Sequence, residues 1–384
     1  MISRPTETEI QRRRRELVAR TEADLIVLAN PRHVFYYSGF RASELSLSSW
    51  TPAYVLIDSK ARSTLLIADF SAYNAAHAAV DELRVWRYYD AATAPAVPVW
   101  RTGAREAAKL VAERSSRAAK TPKKVGIEAG VLPGEVVPDG TETVDLTEII
   151  LDHRRSKSAE EVSIIEDVVA VTGAAHERAR EVIRPGVREV DVHAELLRTV
   201  TREAGEAVNL VCDILSGPRA YKVGGLPSER VIQSGEPVIV DLNPFVGGYR
   251  ADYTATLVLA EELPPVYARL EDALHRALEA GEAALRPGTP AREVHEAVRA
   301  SLERDGFSGS QFPHHAGHGI GLGHPEAPFF VPESTETVVE GDVVTLEPGA
   351  YGEDFGARIE HNYVVEATGP RRLSAHDTSF RHAV

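Results

Sequence analysis

The sequence is poor in sulfur. It has one cysteine, Cys212, and one methionine in 384 residues. A single thiol cannot close an intramolecular disulfide, and it excludes a multi-thiolate zinc site or an iron–sulfur cluster. Basic residues are also in deficit: 43 Lys and Arg stand against 57 Asp and Glu, a formal charge of −14. That balance argues against a nucleic-acid partner, which needs a basic surface to neutralise phosphates, and against an anionic membrane surface. Long apolar runs are missing too. No window approaches the roughly 18 residues of a membrane span, and no apolar core of a signal peptide follows the run Arg12-Arg13-Arg14-Arg15. These absences point to a cytoplasmic protein that touches neither nucleic acid nor membrane. Carboxylates and 14 imidazoles are plentiful, so any bound metal takes mainly O and N ligands.

Residues 1–154 read as a small α/β domain. Glu9 to Arg20 forms a polar helix, and Asp24 to Ala29 a buried strand ending at Asn30-Pro31. Tyr54–Ile57 and Thr64–Ala68 read as a hairpin, Arg84–Tyr88 and Lys124–Glu128 as strands, and Gly103–Ser116 as a helix. Trp50, Trp86 and Trp100 all fall here and are read as core. Residues 155–384 form the second domain. Ser158-Ala-Glu-Glu161 is a capping box that opens a long helix to about Ile183.

From there the chain repeats itself. Arg184-Pro-Gly186 recurs as Arg286-Pro-Gly288, and Val192-His193 recurs as Val294-His295, both shifted by 102. Each copy opens a helix of about twenty residues ending at Gly205 or Gly306. Each then supplies a strand that ends on an acid, Asp241 or Glu347, and a second acid follows 11 or 13 residues later, Asp252 or Glu360. The duplication predicts one pseudo-symmetric sheet with helices on one face. Gly247-Gly248 is a turn that returns Asp252 to Asp241, and two carboxylates so close repel unless a cation or a proton lies between them. Cys212, His193 and His295 read as structural.

Imidazole comes from His314-His315-Ala-Gly-His318-Gly-Ile-Gly-Leu-Gly-His324. Its glycines let backbone approach a ligand closely. Oxygen ligands with one imidazole suit Mn²⁺, Co²⁺ or Zn²⁺. Two such ions about 3.5–4 Å apart would activate a water and polarise a carbonyl.

The ordered set Asp241, Asp252, His318, Glu347 and Glu360 resembles the dinuclear site of the pita-bread family: prolidase, aminopeptidase P, methionine aminopeptidase and creatinase. The motifs Asp252-Tyr-Thr-Ala-Thr, Gly317-His318-Gly-Ile-Gly-Leu, Leu346-Glu347-Pro-Gly and Arg358-Ile-Glu360 carry the likeness. Asn30-Pro-Arg-His-Val-Phe-Tyr-Tyr-Ser-Gly39 resembles the N-terminal domain of the prolidase and creatinase branch. The implied fold is α+β, a duplicated helix–helix–sheet catalytic domain behind a smaller α/β domain. The resemblance implies that Asp252, His318, Glu347 and Glu360 hold one metal and that Asp241, Asp252 and Glu360 hold the other. It makes Glu347 the proton shuttle and gives His314 a substrate contact. Creatinase, which uses no metal, does not keep this full set.

Three positions depart from the family pattern. The peptidases' His before a Ser-acid-Arg is Gly224 here, their His seven residues after the ligand His is Pro325 with His324 beside it, and their Thr-Arg-Thr is Thr254-Ala255-Thr256. Tyr221, Lys222 and Arg358 join His314 as candidate substrate contacts, and His324 joins Glu347 and His314 as a candidate catalytic group. The expectation is a homodimeric metal-dependent hydrolase with two divalent ions, manganese first and cobalt or zinc otherwise. It would cleave a Xaa-Pro dipeptide or short peptide. The alternative is a non-peptide C–N hydrolase or lyase on the same metal scaffold.

Overall fold

A computed structural model describes residues 2–41, 53–89, 97–117, 124–307 and 309–383. Trp50 lies outside them. The chain divides into two compact units, Pro5–Arg154, and Arg155–Val384 together with Met1–Arg4.

The first unit runs α1 (Glu7–Ala19), β1 (Leu25–Leu28), α2 (Pro31–Ser38), β2 (Tyr54–Asp58), β3 (Ser63–Ala68), β4 (Glu82–Trp86), α3 (Val99–Arg117), β5 (Lys124–Ile127), β6 (Glu142–Asp145) and α4 (Thr147–Arg155). The six strands among its described residues form one mixed sheet in the order β4-β3-β2-β1-β5-β6. Trp86 is buried in the core with Leu25, Val27, Leu56 and Leu110. Trp100 is only half-buried, with Arg101 over its ring.

Helix α2 was not expected. Asn30-Pro31 ends the strand and also starts a helix: the Asn30 side chain accepts from Arg32 N, Pro31 takes the first turn, and Gly39 closes it at φ 72°. The arginine run is likewise less exposed than a polar helix implies. Arg13 lies buried over the Tyr36 ring and donates to Glu9 and to the Tyr36 carbonyl. Arg14 donates to the Tyr37 and Ala79 carbonyls.

The second unit contains α5 (Ala159–Val182), α6 (Glu189–Ala204), β7 (Asn209–Ser216), β8 (Pro237–Val246), β9 (Tyr249–Arg250), β10 (Tyr253–Val258), α7 (Pro265–Ala284) and α8 (Ala291–Arg304). Then follow β11 (His318–Gly319), β12 (Glu326–Phe329), β13 (Val343–Leu346), β14 (Gly349–Tyr351), β15 (Gly356–Arg358), β16 (His361–Glu366) and β17 (Gly369–Arg372). Both arms of the Ser158–Glu161 capping box form.

The repeats dock alike. Gly186 N donates to Ile232 O, and Gly288 N donates to Val338 O, at 2.9 and 2.8 Å. This pairing takes the residues after each Arg-Pro-Gly out of helical geometry, so α6 and α8 have 16 and 14 residues rather than about twenty.

The single sheet expected from the duplication is instead divided. Strands β10-β8-β7, with β9 on β8, make one sheet; β12-β11-β13-β16-β17 make another; β14 and β15 pair separately. The backbone leaves the ladder at Glu347-Pro348 and again at Ile359-Glu360, where the acids turn inward. The halves meet instead through Glu360 N donating to Thr254 O at 3.1 Å, and through Thr256 Oγ1 donating to Arg358 O at 2.8 Å. The core of the second half gathers Leu274, Val298, Val344, Leu346 and Ile359 between α7, α8 and these strands.

Candidate metal centre

The seam between the two sheets is where the acids converge. Val238, Ile239, Val240 and Leu242 are fully buried, and Asp241 sits among them in β8. The strand continues to Val246, so Asp241 lies mid-strand rather than at its end. Asp252 precedes β10. Its backbone is clamped by Asn362, whose Oδ1 accepts from Asp252 N at 3.2 Å and whose Nδ2 donates to Asp252 O. Glu347 follows β13 and Glu360 precedes β16. Thr254 Oγ1 donates to Glu360 Oε2 at 2.8 Å, and Thr345 Oγ1 donates to Glu347 Oε1 at 3.3 Å.

Gly317 holds φ 148°, and a Cβ there would run into Thr345 O. Only glycine lets the next residue pack so tightly against β13. His318 N then donates to Thr345 Oγ1 at 3.2 Å, and His318 Nδ1 lies 2.9 Å from Gly319 O. That contact makes Nδ1 the protonated nitrogen and leaves the Nε2 lone pair facing Asp252 Oδ2 at 3.4 Å and Glu347 Oε1 at 3.7 Å.

All five acids and imidazoles singled out by sequence lie in overlapping groups whose ligand atoms fall within 4.8 Å of one another: His318, Glu347 and Glu360, and Asp241, Asp252 and Glu360. His324 joins Asp252 and His318, with Nε2 only 2.6 Å from Asp252 Oδ2. His314 and His315 group with Glu347, with His315 Nδ1 at 2.9 Å from Glu347 Oε1.

The electrostatics are those of too many acids in one place. Desolvation, and after it the Asp252 charge, push Asp241 up to about 8 against the pull of Arg358. Burial and the charges of Asp252, Glu347 and Asp241 drive Glu360 well above the carboxylate range. Asp252 goes the other way: burial opposes it, but His324 and His318 hold it down. Glu347 is likewise held down to about 2 by His315, His318 and His314 against burial. His314 is pushed down to about 4, chiefly by burial. Carboxylates this close cannot all be ionised without a cation among them. Buried polar atoms are also left over. Among the described residues, Asp241 Oδ1, Glu360 Oε1 and His314 Nε2 have no hydrogen-bond partner, and buried orphans of this kind call for a ligand. Both facts fit divalent metal.

Arg358 is buried with its donors committed: Nη2 to Asp241 Oδ2 at 2.6 Å, Nη1 to Tyr351 Oη and Val223 O at 2.7 Å each, and Nε to Thr254 Oγ1 at 3.1 Å. Tyr221 is half-buried and Lys222 exposed at the end of a short helical turn. Among the described residues, no hydrogen bond joins either side chain to the acids. Ala255 points away from the seam into the core, between Thr254 and Thr256.

Sequence reasoning missed Asp213, which lies opposite Asp241 in the β7–β8 register. Its signal was present: one charge inside the apolar run Leu210-Val-Cys-Asp-Ile-Leu215. His315 was named in its loop but given no role. The structural readings of Cys212, His193 and His295 agree with their placement. Cys212 is buried 3.1 Å from His193 Nδ1, and His295 stacks on Phe312.

Comparison with known proteins places this architecture. The description "Metallopeptidase family M24" matches residues 163–367, and "Creatinase/Prolidase N-terminal domain" matches residues 10–155. A Xaa-Pro dipeptidase of Pyrococcus furiosus is 32% identical over 266 residues, 66% of this chain and 74% of that protein. The Bacillus subtilis protein described as "Uncharacterized peptidase YqhT" is 30% identical over 237 residues, 61% of this chain and 66% of that one. The matched region thus spans about two thirds to three quarters of these curated relatives. Among solved structures, a Xaa-Pro dipeptidase from Bacillus anthracis superposes with a TM-score of 0.79 at 24% identity, covering 98% of this chain and 99% of that one. Dipeptidase PepE from Mycobacterium ulcerans gives 0.78 at 24% identity over the whole of both chains. The first description covers more than half of the chain and the second most of its first unit, and the chain belongs to metallopeptidase family M24, with a creatinase/prolidase-type N-terminal domain.

Proposed function

We propose that this protein is a dinuclear metal-dependent hydrolase that cleaves the amide bond of a Xaa-Pro dipeptide or another small substrate. The observation that carries the reading is the seam itself: Asp241, Asp252, His318, Glu347 and Glu360 within reach of shared ions, with buried Asp241 Oδ1 and Glu360 Oε1 unpartnered. Asp252, His318, Glu347 and Glu360 would hold one ion, and Asp241, Asp252 and Glu360 the other. Bound there, the ions would supply Lewis-acid polarisation of the carbonyl and a more acidic water.

The rest is the work of the chain. Glu347, kept ionised chiefly by His315 and His318, would take the proton of the attacking water and pass it to the leaving nitrogen as the C–O bond forms and the C–N bond breaks. His314, neutral and with Nε2 free, would orient the substrate by a hydrogen bond. Asn362 and Thr254 keep the acids in place. Manganese is the first choice of metal, with a homodimer in the cytoplasm as the setting. A second reading, a non-peptide C–N hydrolase or lyase, is favoured by Gly224, which places no imidazole on the substrate.

The test is a panel of Xaa-Pro dipeptides and small amides with added Mn²⁺, Co²⁺ or Zn²⁺, run beside metal analysis. Turnover that chelation abolishes and Mn²⁺ restores is expected. Absence of metal binding would overturn both readings, and cleavage of a non-peptide amide alone would select the second.

A further inference from the structure

Asp213 has no part in the chemistry above, yet it stands beside the same acids. Register pairing across three strands sets Thr254 opposite Asp241, and Asp241 opposite Asp213. Directly paired residues project to the same face of a sheet, with Cβ atoms about 5 Å apart, so Asp213 stands beside Asp241 on the face that carries the acids. The side chains of Asp213 and Asp241 are 25% and 21% exposed, whereas those of Asp252 and Glu347 are below 10%. These two acids therefore form the open edge of the cluster.

The nearby cation does not satisfy Asp213. Arg358 Nη2 is 3.9 Å from Asp213 Oδ2, beyond hydrogen-bond reach, and its donors already serve Asp241, Tyr351, Val223 and Thr254. The Gly225 backbone N–H faces the carboxylate. Gly224 makes room for it: a Cβ at Gly224 would lie 2.8 Å from Asp213 Oδ2. The space beside Gly224 therefore holds a carboxylate reached from β7.

We propose that Asp213 is a specificity-determining residue that receives a positively charged group of the substrate, a primary ammonium or a guanidinium, on the carboxylate that Gly224 leaves uncrowded. This rests on the hydrolase reading and narrows it to cationic small amides or peptides. A carboxylate on a half-buried edge attracts such a group more strongly than one in bulk water, and the same charge repels an anionic substrate end.

Matched pairs that differ only in charge test it: Lys-Pro against norleucyl-Pro, and N-acetyl-1,4-diaminobutane against N-pentylacetamide, each with the Mn²⁺-loaded protein. The expected kcat/KM is at least about tenfold higher for the cationic member of the pair that is turned over, equivalent to about 1.4 kcal/mol. In Asp213→Asn that ratio should fall to about one, and Gly224→Ala, which crowds the carboxylate, should lower it as well. A ratio near one in the wild-type protein, or a ratio that survives Asp213→Asn, overturns the proposal. If nothing in the panel is cleaved, the hydrolase reading fails separately. Calorimetry with lysinamide and norleucinamide then decides: about tenfold tighter binding of lysinamide, lost in Asp213→Asn, supports the assignment, and equal binding by the wild-type protein refutes it.

Discussion

The two halves of the catalytic unit began as copies and now do different work. Between the Arg-Pro-Gly turns the copies are offset by 102, from Gly186 to Gly288; between the strands they meet, the offset is 106, from Ile232 to Val338. The extra residues fall between these two points, in the stretch that carries the glycines and imidazoles. In the first half that stretch includes β7, eight regular residues paired along the length of β8. In the second half its counterpart is β11, two residues long, in a glycine-rich loop. Each half kept one acid within or just after an apolar strand and a second acid just before the return strand. Only the second half has, in place of a long regular strand, a loop able to aim His314, His315, His318 and His324. Carboxylate placement thus tolerates a regular sheet, whereas converging several imidazoles requires breaking one.

The sharpest test of this comparison uses one acid from each half. Asp252→Asn and Glu360→Gln remove equivalent charges, one per copy, and each belongs to a shared ligand group. Each should lower kcat/KM by about three orders of magnitude or more, with loss of bound metal measured by atomic spectroscopy. Loss confined to one of them would show that the halves are unequal in metal binding as well as in shape.

A second contrast lies at the helix starts. Glu189 opens α6 fully buried and accepts from Ser216 N at 2.8 Å, Ser216 Oγ at 2.7 Å, Ser228 N at 3.0 Å and Ser228 Oγ at 2.6 Å, and pairs with Arg219. The equivalent position at the start of α8 is Ala291, buried in the apolar core. The first half is thus tied by a buried charge network where the second relies on packing. Glu189→Ala leaves that network without its acceptor and should cost about 3–5 kcal/mol, read as a lower midpoint in urea. A cost below about 1 kcal/mol would show that the network does not hold the first half.

The legibility of the molecule follows the same divide. Regular elements were visible because their signals are local: the Ser158–Glu161 box, the apolar run before Asp241, and the repeated Arg-Pro-Gly. Helix α2 was missed because Asn30-Pro31 is a strand terminator and a helix cap at once, and the dipeptide alone does not say which. The division into separate sheets was missed because it depends on where Glu347-Pro348 and Ile359-Glu360 leave the ladder, which only the packed acids decide. The five acids and imidazoles could be picked out by order and type. Asp213 could not be placed, since its meaning comes from cross-strand register to Asp241 and from the space at Gly224, both tertiary facts.

The smallest expected effect separates the seam from the layer behind it. On the far side of β10, His176 stacks on Tyr253 with ring centroids 4.8 Å apart, and His376 lies 4.5 Å from the same ring. His176 Nε2 lies 2.9 Å from Tyr253 O and His376 Nε2 lies 3.0 Å from Thr254 O, so this layer supports the strand that presents Thr254 to Glu360. Burial lowers both imidazoles, His376 to about 4. In the folded protein His376 therefore stays neutral at pH values where an unfolded imidazole, near 6.5, takes up a proton. The unfolded state then binds more protons as the pH falls below about 6.5, and stability declines until about pH 4, where the folded imidazole titrates as well. Between pH 7 and pH 5 this one group should remove about 1–2 kcal/mol. His376→Gln should flatten the fall in melting temperature over that interval, whatever it does to stability at pH 7. An unchanged slope would show that His376 does not carry the acid sensitivity and would pass it to its ring neighbours His176 and His361, which burial lowers as well, or to the crowded carboxylates of the seam.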